Sequence, residues 1–135
     1  MAGYSGTPLW KKLGFKEGFR AGLVNAPKGF QKELAPLPND VKLMTENLAK
    51  PLDLIVLFAD SQHAVKTQFS KLARKLVSNG MLWIAWRKKA SGVETDLSEG
   101  DVRRIGLDAG LVDVKICAVN DTWSGLKFVY RLKDR

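Results

Sequence analysis

One cysteine, one histidine and no long apolar run set the first limits on this sequence of 135 residues. The lone Cys117 excludes an intrachain disulfide and stands in no metal-ligand spacing, which fits a reducing compartment. His63 has no Cys, Asp or Glu spaced around it as a metal site or an acid–base pair requires, and reads as an ordinary helix residue. No Ser, His and Asp set is recognisable. The apolar runs 54–59 and 81–86 fall far below the roughly 20 residues that span a bilayer. Residues 1–13 are rich in Gly, Ser, Pro and Lys, without the roughly 7 to 15 apolar residues at the centre of a signal peptide. The expectation is a cytoplasmic protein with no membrane partner.

Acidic residues are also scarce, with 14 Asp and Glu against 22 Lys and Arg and a net charge of +8. Such a balance favours anionic partners through long-range attraction. The cations are spread along the chain, at Lys11, Lys12, Lys16, Arg20, Lys71, Arg74, Lys75, Arg87, Lys88, Lys89, Arg103 and Arg104. Spread charge fits a solvated surface as well as it fits RNA or DNA binding.

With 45% hydrophobic residues, the composition is that of a globular α/β domain with a core of its own. Residues 1–18 read as an N-terminal arm, extended as far as Lys12, that packs Leu9 and Trp10 on the domain formed by residues 19–135. Phe19 to Asn25 reads as a first strand, Pro27 as the first position of a short helix reaching Leu34, and Val41 to Met44 as a short second strand. The continuous apolar segment Asp53 to Phe58 suits a parallel strand covered on both faces. Residues 62–78 carry Val65, Phe69, Leu72, Ala73, Leu76 and Val77 at helical spacing, with Asn79-Gly80 as the stop signal. A second buried strand, Met81 to Trp86, follows. A helix over 98–109 is expected to open at Asp96 with Glu99 three residues on, and to close at Gly110. The strands 111–119 and 126–132 are joined by too short a link, Asn120 to Gly125, for a parallel crossover, so the chain ends in an antiparallel hairpin. The predicted fold is a three-layer Rossmann-like α/β domain with a mostly parallel sheet.

The succession Leu52 to Phe58, helix, Gly80 to Trp86, helix and terminal hairpin resembles the C-terminal half of class I S-adenosylmethionine-dependent methyltransferases. Asp53, Gly80 and the hairpin match that family's pattern in position, and the likeness implies a truncated methyltransferase-like topology. The segments 3–14, 87–92, 95–97 and 122–128 are similar to a bacterial family known only as domain of unknown function 3052. That second likeness covers nearly the whole chain and implies no activity. The methyltransferase pattern fails at the loop after the first strand, where the cofactor needs an acidic residue and several glycines so that backbone can approach it. Here the loop is Leu23-Val24-Asn25-Ala26-Pro27-Lys28-Gly29, with one glycine and with a proline that removes an N–H.

In an open parallel sheet, ligands sit beyond the carboxyl ends of the strands. The residues to weigh are therefore Asn25 to Gly29, Glu46, Asp60, Ser61 and the loop from Arg87 to Thr95. Arg87, Lys88, Lys89, Ser91 and Gly92 put three cations, a hydroxyl and a flexible residue in the predicted crevice, where phosphate or carboxylate would be well received. A merely solvated loop reads the same way. Glu46 falls where a ribose-binding carboxylate would lie. Asp60 and Ser61 are also good helix caps, as are Thr95 and Asp96. Cys117 reads as a small buried group. Trp83 and Trp86 read as core, and Trp123, in a turn beside Ser124 and Gly125, as an exposed contact. The functional expectation is a non-catalytic binding or interaction module without a cofactor, its partner an anionic ligand or a protein. The alternatives are a small-anion or nucleotide binder, and a possible enzyme, using Arg87 to Gly92, and nucleic-acid binding by the basic surface.

Overall fold

The computed structural model describes residues 6–135, so the first five residues of the expected N-terminal arm lie outside the described residues. Six strands form one sheet: β1 (Arg20–Val24), β2 (Lys42–Met44), β3 (Leu52–Phe58), β4 (Leu76–Arg87), β5 (Leu111–Ala118) and β6 (Trp123–Tyr130), in the order β2-β1-β3-β4-β6-β5. The β1–β2, β1–β3 and β3–β4 pairs are parallel. β6 runs antiparallel to both β4 and β5. The mostly parallel sheet with its terminal hairpin is as the apolar runs and the short last link require.

Alternation along the central strands builds two cores. Ile55, Leu57, Leu82, Ile84 and Trp86 join Val65, Phe69, Val102 and Ile105 from α3 (Gln62–Ala73) and α4 (Glu99–Asp108). Leu54, Val56, Phe58, Trp83 and Ala85 join Leu13, Phe30 and Leu34 from α1 (Leu9–Leu13) and α2 (Phe30–Leu34). The result is three layers, and each fully buried large side chain contributes about 1.5–3 kcal/mol relative to exposure. The Trp83 indole Nε1 donates to the Leu13 carbonyl at 2.8 Å, which satisfies a buried N–H and fixes α1 to the sheet.

Several local expectations are corrected. The arm is not extended to Lys12, because Leu9–Leu13 is helical and ends on Gly14 at φ +94°. Pro27 does not begin a helix; its carbonyl accepts from Phe30 N in a turn, and α2 starts after Gly29 at φ +87°. The helix over 62–78 stops at Ala73, since Leu76 pairs with Leu52 in the sheet. The ladder resumes with Leu54 opposite Met81, so 77–80 form an irregular excursion within β4, and Asn79-Gly80 are not a helix cap. Trp123 lies in β6, not in a turn, and is 5% exposed. Cys117 is half-buried rather than buried.

Ser98, not Asp96, opens α4. Its hydroxyl accepts from Asp101 N, and the Asp101 carboxylate accepts from Ser98 N at 3.1 Å, a reciprocal capping box. Glu99 instead pairs with Arg103 at 2.7 Å. Removal of the cap in Ser98→Ala is expected to cost about 1 kcal/mol in denaturant unfolding at neutral pH. Hydrogen bonding from the Ser98 side chain, before the charge of Arg104, holds the Asp101 carboxyl below its ordinary 3.8. Its contribution is therefore complete above that value and fades as pH falls through the lower folded one. The gap between Ser98→Ala and the parent should narrow in acid to what the pH-independent bond from Asp101 N to the Ser98 hydroxyl contributes, and a gap independent of pH would exclude this coupling.

Candidate functional site

The carboxyl ends of β1, β3 and β4 meet at one edge of the sheet, where Ala59 N donates to Ala85 O at 3.0 Å and holds the last two together. β1 is followed by Asn25 at φ +58°, a left-handed conformation that Asn tolerates better than most residues. β3 is followed, after Ala59, by Asp60 and Ser61. Ser61 Oγ accepts from Ala64 N at 3.1 Å and caps α3. Asp60 does not cap; its carboxylate accepts from Arg87 Nε at 2.9 Å.

Arg87 is the centre of this edge. Its guanidinium lies 4.6 Å from the centre of the Trp123 ring while Nε is held by Asp60, so one plane is stacked and one N–H is spent. The pair is exposed enough to add little stability by itself. What it fixes is direction: the two terminal nitrogens of Arg87 have no protein partner among the described residues. Beneath lies a chain of rings, Phe30 to Phe58 at 4.8 Å and Phe58 to Trp123 at 5.0 Å, each edge to face. The remaining cleft, about 240 Å³, is lined by Asn25, Pro27, Phe58, Asp60, Arg87 and Trp123. A second, of about 550 Å³, lies across the loop and includes Lys28, Lys32 and Glu46.

The other predicted residues are divided by the fold. Lys89 to Ser91 form a single tight turn closed by Gly92 at φ +78°. The Ser91 hydroxyl donates to Lys88 O at 2.7 Å and accepts from Val93 N, so it serves the turn before any ligand. Lys88 N donates to Thr122 O at 2.8 Å, which ties the loop to the hairpin. Thr95 and Asp96 do not cap the following helix. Thr95 Oγ1 donates to Asp60 O at 2.6 Å, and Asp96 accepts from Gln62 N at 2.8 Å, so this loop caps α3 from outside. Trp123 is floor, not exposed contact. Sequence reasoning found Asp60 and Arg87 by their position after strands, but nothing in sequence marks them as partners. Among the described residues no cluster of three His, Cys, Asp or Glu stands together for a metal, and no helix is long and apolar enough to cross a membrane.

The residues after β1 do not suit S-adenosylmethionine. A glycine-rich turn with free N–H groups would let the cofactor approach the backbone. Pro27 offers no N–H, and Phe30, 1% exposed, packs its ring on Phe58 directly behind the loop. Glu46 alone keeps a place that a ribose could use, in the wider cleft.

No protein-family model matches the chain, and no curated protein sequence does so either. Solved structures do match in fold. An S-adenosylmethionine-dependent methyltransferase from Aquifex aeolicus is 20% identical, with 87% of this chain and 85% of that one covered and a TM-score of 0.60. A precorrin-6y C5,15-methyltransferase from Geobacter metallireducens is 9% identical over 91% and 86%, with a TM-score of 0.65. A TehB-like methyltransferase from Corynebacterium glutamicum is 10% identical over 96% and 91%, with a TM-score of 0.60. At such identities the likeness is one of fold, and the fold of this chain is that of the class I methyltransferases.

Proposed function

We propose that this chain is a non-catalytic binding module on a methyltransferase-type scaffold, which takes a small carboxylate- or phosphate-bearing ligand at the edge around Arg87. The observation that carries the reading is the loop after β1, in which Pro27 has no N–H to offer and Phe30 is buried behind it against Phe58. Arg87 supports the ligand class, since its terminal nitrogens are oriented by Asp60 and Trp123 and left unspent.

A thermal-shift titration of the full chain tests it. S-adenosylmethionine is expected to leave the unfolding midpoint unchanged, and small anions such as citrate or orthophosphate to raise it by mass action. Arg87→Gln should abolish the anion effect while the S-adenosylmethionine result stays flat. Saturable binding of S-adenosylmethionine, or methyl transfer from it, would overturn the proposal.

A further inference from the structure

The half of the sheet formed by β5 and β6 gathers lysines that no acid pairs with among the described residues. Lys115 and Lys127 stand directly opposite one another across the antiparallel pair. Like charges so placed weaken a sheet. Lys115 Nζ donates to the Lys12 carbonyl at 3.1 Å, and Lys12 Nζ donates to the Ala118 carbonyl at 3.4 Å, so both ammonium groups are held at one corner between α1 and β5. Lys127 Nζ lies 6.0 Å from the centre of the Trp83 ring. Lys88 joins Lys12, Lys115 and Lys127 in acting on the half-buried Cys117 thiol, which burial pushes up against their pull. Lys127 is pushed down by burial first and then by the charges of Lys115 and Lys16.

Among the described residues all ion pairs use arginine, and none includes these lysines. A surface that merely serves solubility intersperses both signs. Here a like-charge pair is built into the ladder, which an anion would relieve. Lysine supplies point charges with rotatable donors, suited to phosphate oxygens that face several ways, where a planar carboxylate would favour arginine. The groups converge on a corner instead of following a track, which suits a compact polyanion better than an extended nucleic-acid backbone.

We propose that Lys12, Lys115 and Lys127 form a binding site for a compact polyphosphate group, free or at the end of a nucleoside triphosphate. The site does not depend on the reading of the Arg87 edge.

Isothermal titration of the full chain with tripolyphosphate and, separately, with ATP tests the proposal at about 50 mM salt, where phosphate contacts are strong. Saturable binding is expected, falling as salt rises and weakened at least about tenfold in Lys115→Ala/Lys127→Ala. Equal affinity for both ligands would assign the site to the phosphate chain alone, and tighter ATP binding to a nucleotide; either supports it. The thermal midpoint of the double variant should be unchanged or higher, because the opposed charges are gone. If it is lower, Lys115→Gln/Lys127→Gln keeps the side-chain stems, and binding retained there would count against the site. Lack of saturable tripolyphosphate binding, parental affinity in the double variant, or loss in Lys89→Ala instead would overturn it. So would affinity for single-stranded oligonucleotides that exceeds that for tripolyphosphate and grows with length.

Discussion

Gly106→Val is expected to destabilise the protein by about 3 kcal/mol, through overpacking of a filled core. Gly106 lies within α4, and a Cβ built on it would come 2.1 Å from Phe128 Cε1 and 2.5 Å from its Cζ. Phe128 has nowhere to go: it is 0% exposed and meets Phe69 edge to face at 5.1 Å. The alanine variant is the sharper test. By helix propensity alone, Gly106→Ala should gain about 1 kcal/mol. The contact with Phe128 predicts a net loss instead, with a fall of about 4 °C in the thermal midpoint for each kcal/mol. A stabilised Gly106→Ala would show that α4 packs further from the sheet than this.

Phe58→Ala should cost about 4 kcal/mol, the usual range for deleting a buried ring. Phe58 is 2% exposed at the end of β3 and is the middle member of the ring chain from Phe30 to Trp123. Its loss removes two edge-to-face contacts as well as the buried surface. Phe58→Leu, which keeps most of the volume, should cost clearly less. A double-mutant cycle between Phe30→Leu and Phe58→Leu should return a coupling of about 0.5–1.5 kcal/mol. Denaturant unfolding with an unchanged slope is the measurement. A cost for Phe58→Ala under about 1.5 kcal/mol would mean that the rings do not form a packed floor under the Arg87 edge.

These two sites show where sequence reading succeeds and where it stops. The span of β3 is legible because five consecutive residues, Leu54 to Phe58, are buried, and both faces of a central parallel strand must be apolar. The hairpin is legible from a link too short for a crossover. The end of α3 is not, because Leu76 suits helix periodicity as well as it suits a strand, and only its pairing with Leu52 decides. Trp123 misleads for the same reason. Its neighbours Ser124 and Gly125 are turn residues by composition, yet Trp123 stands opposite Arg87 and Gly125 opposite Ala85 across β4 and β6.

The candidate site divides along the same line. Position after a strand is a property of the sequence, and it was enough to bring Asp60 and the loop from Arg87 to Gly92 into consideration. The loop after β1 was equally legible, because its single glycine and its proline are facts about residues. The Asp60 to Arg87 pair joins residues 27 apart, and the contact of Lys12 with Lys115 joins residues 103 apart. No local pattern encodes either.

By itself, the sequence determined the layers, the strand directions and the make-up of the loop after β1, since these follow from periodicity, link length and backbone chemistry within a few residues. The tertiary structure decided which cation is held by an acid and which are left to face one another. That outcome depends on the register between strands distant in sequence, and a shift of one residue would turn each side chain to the other face.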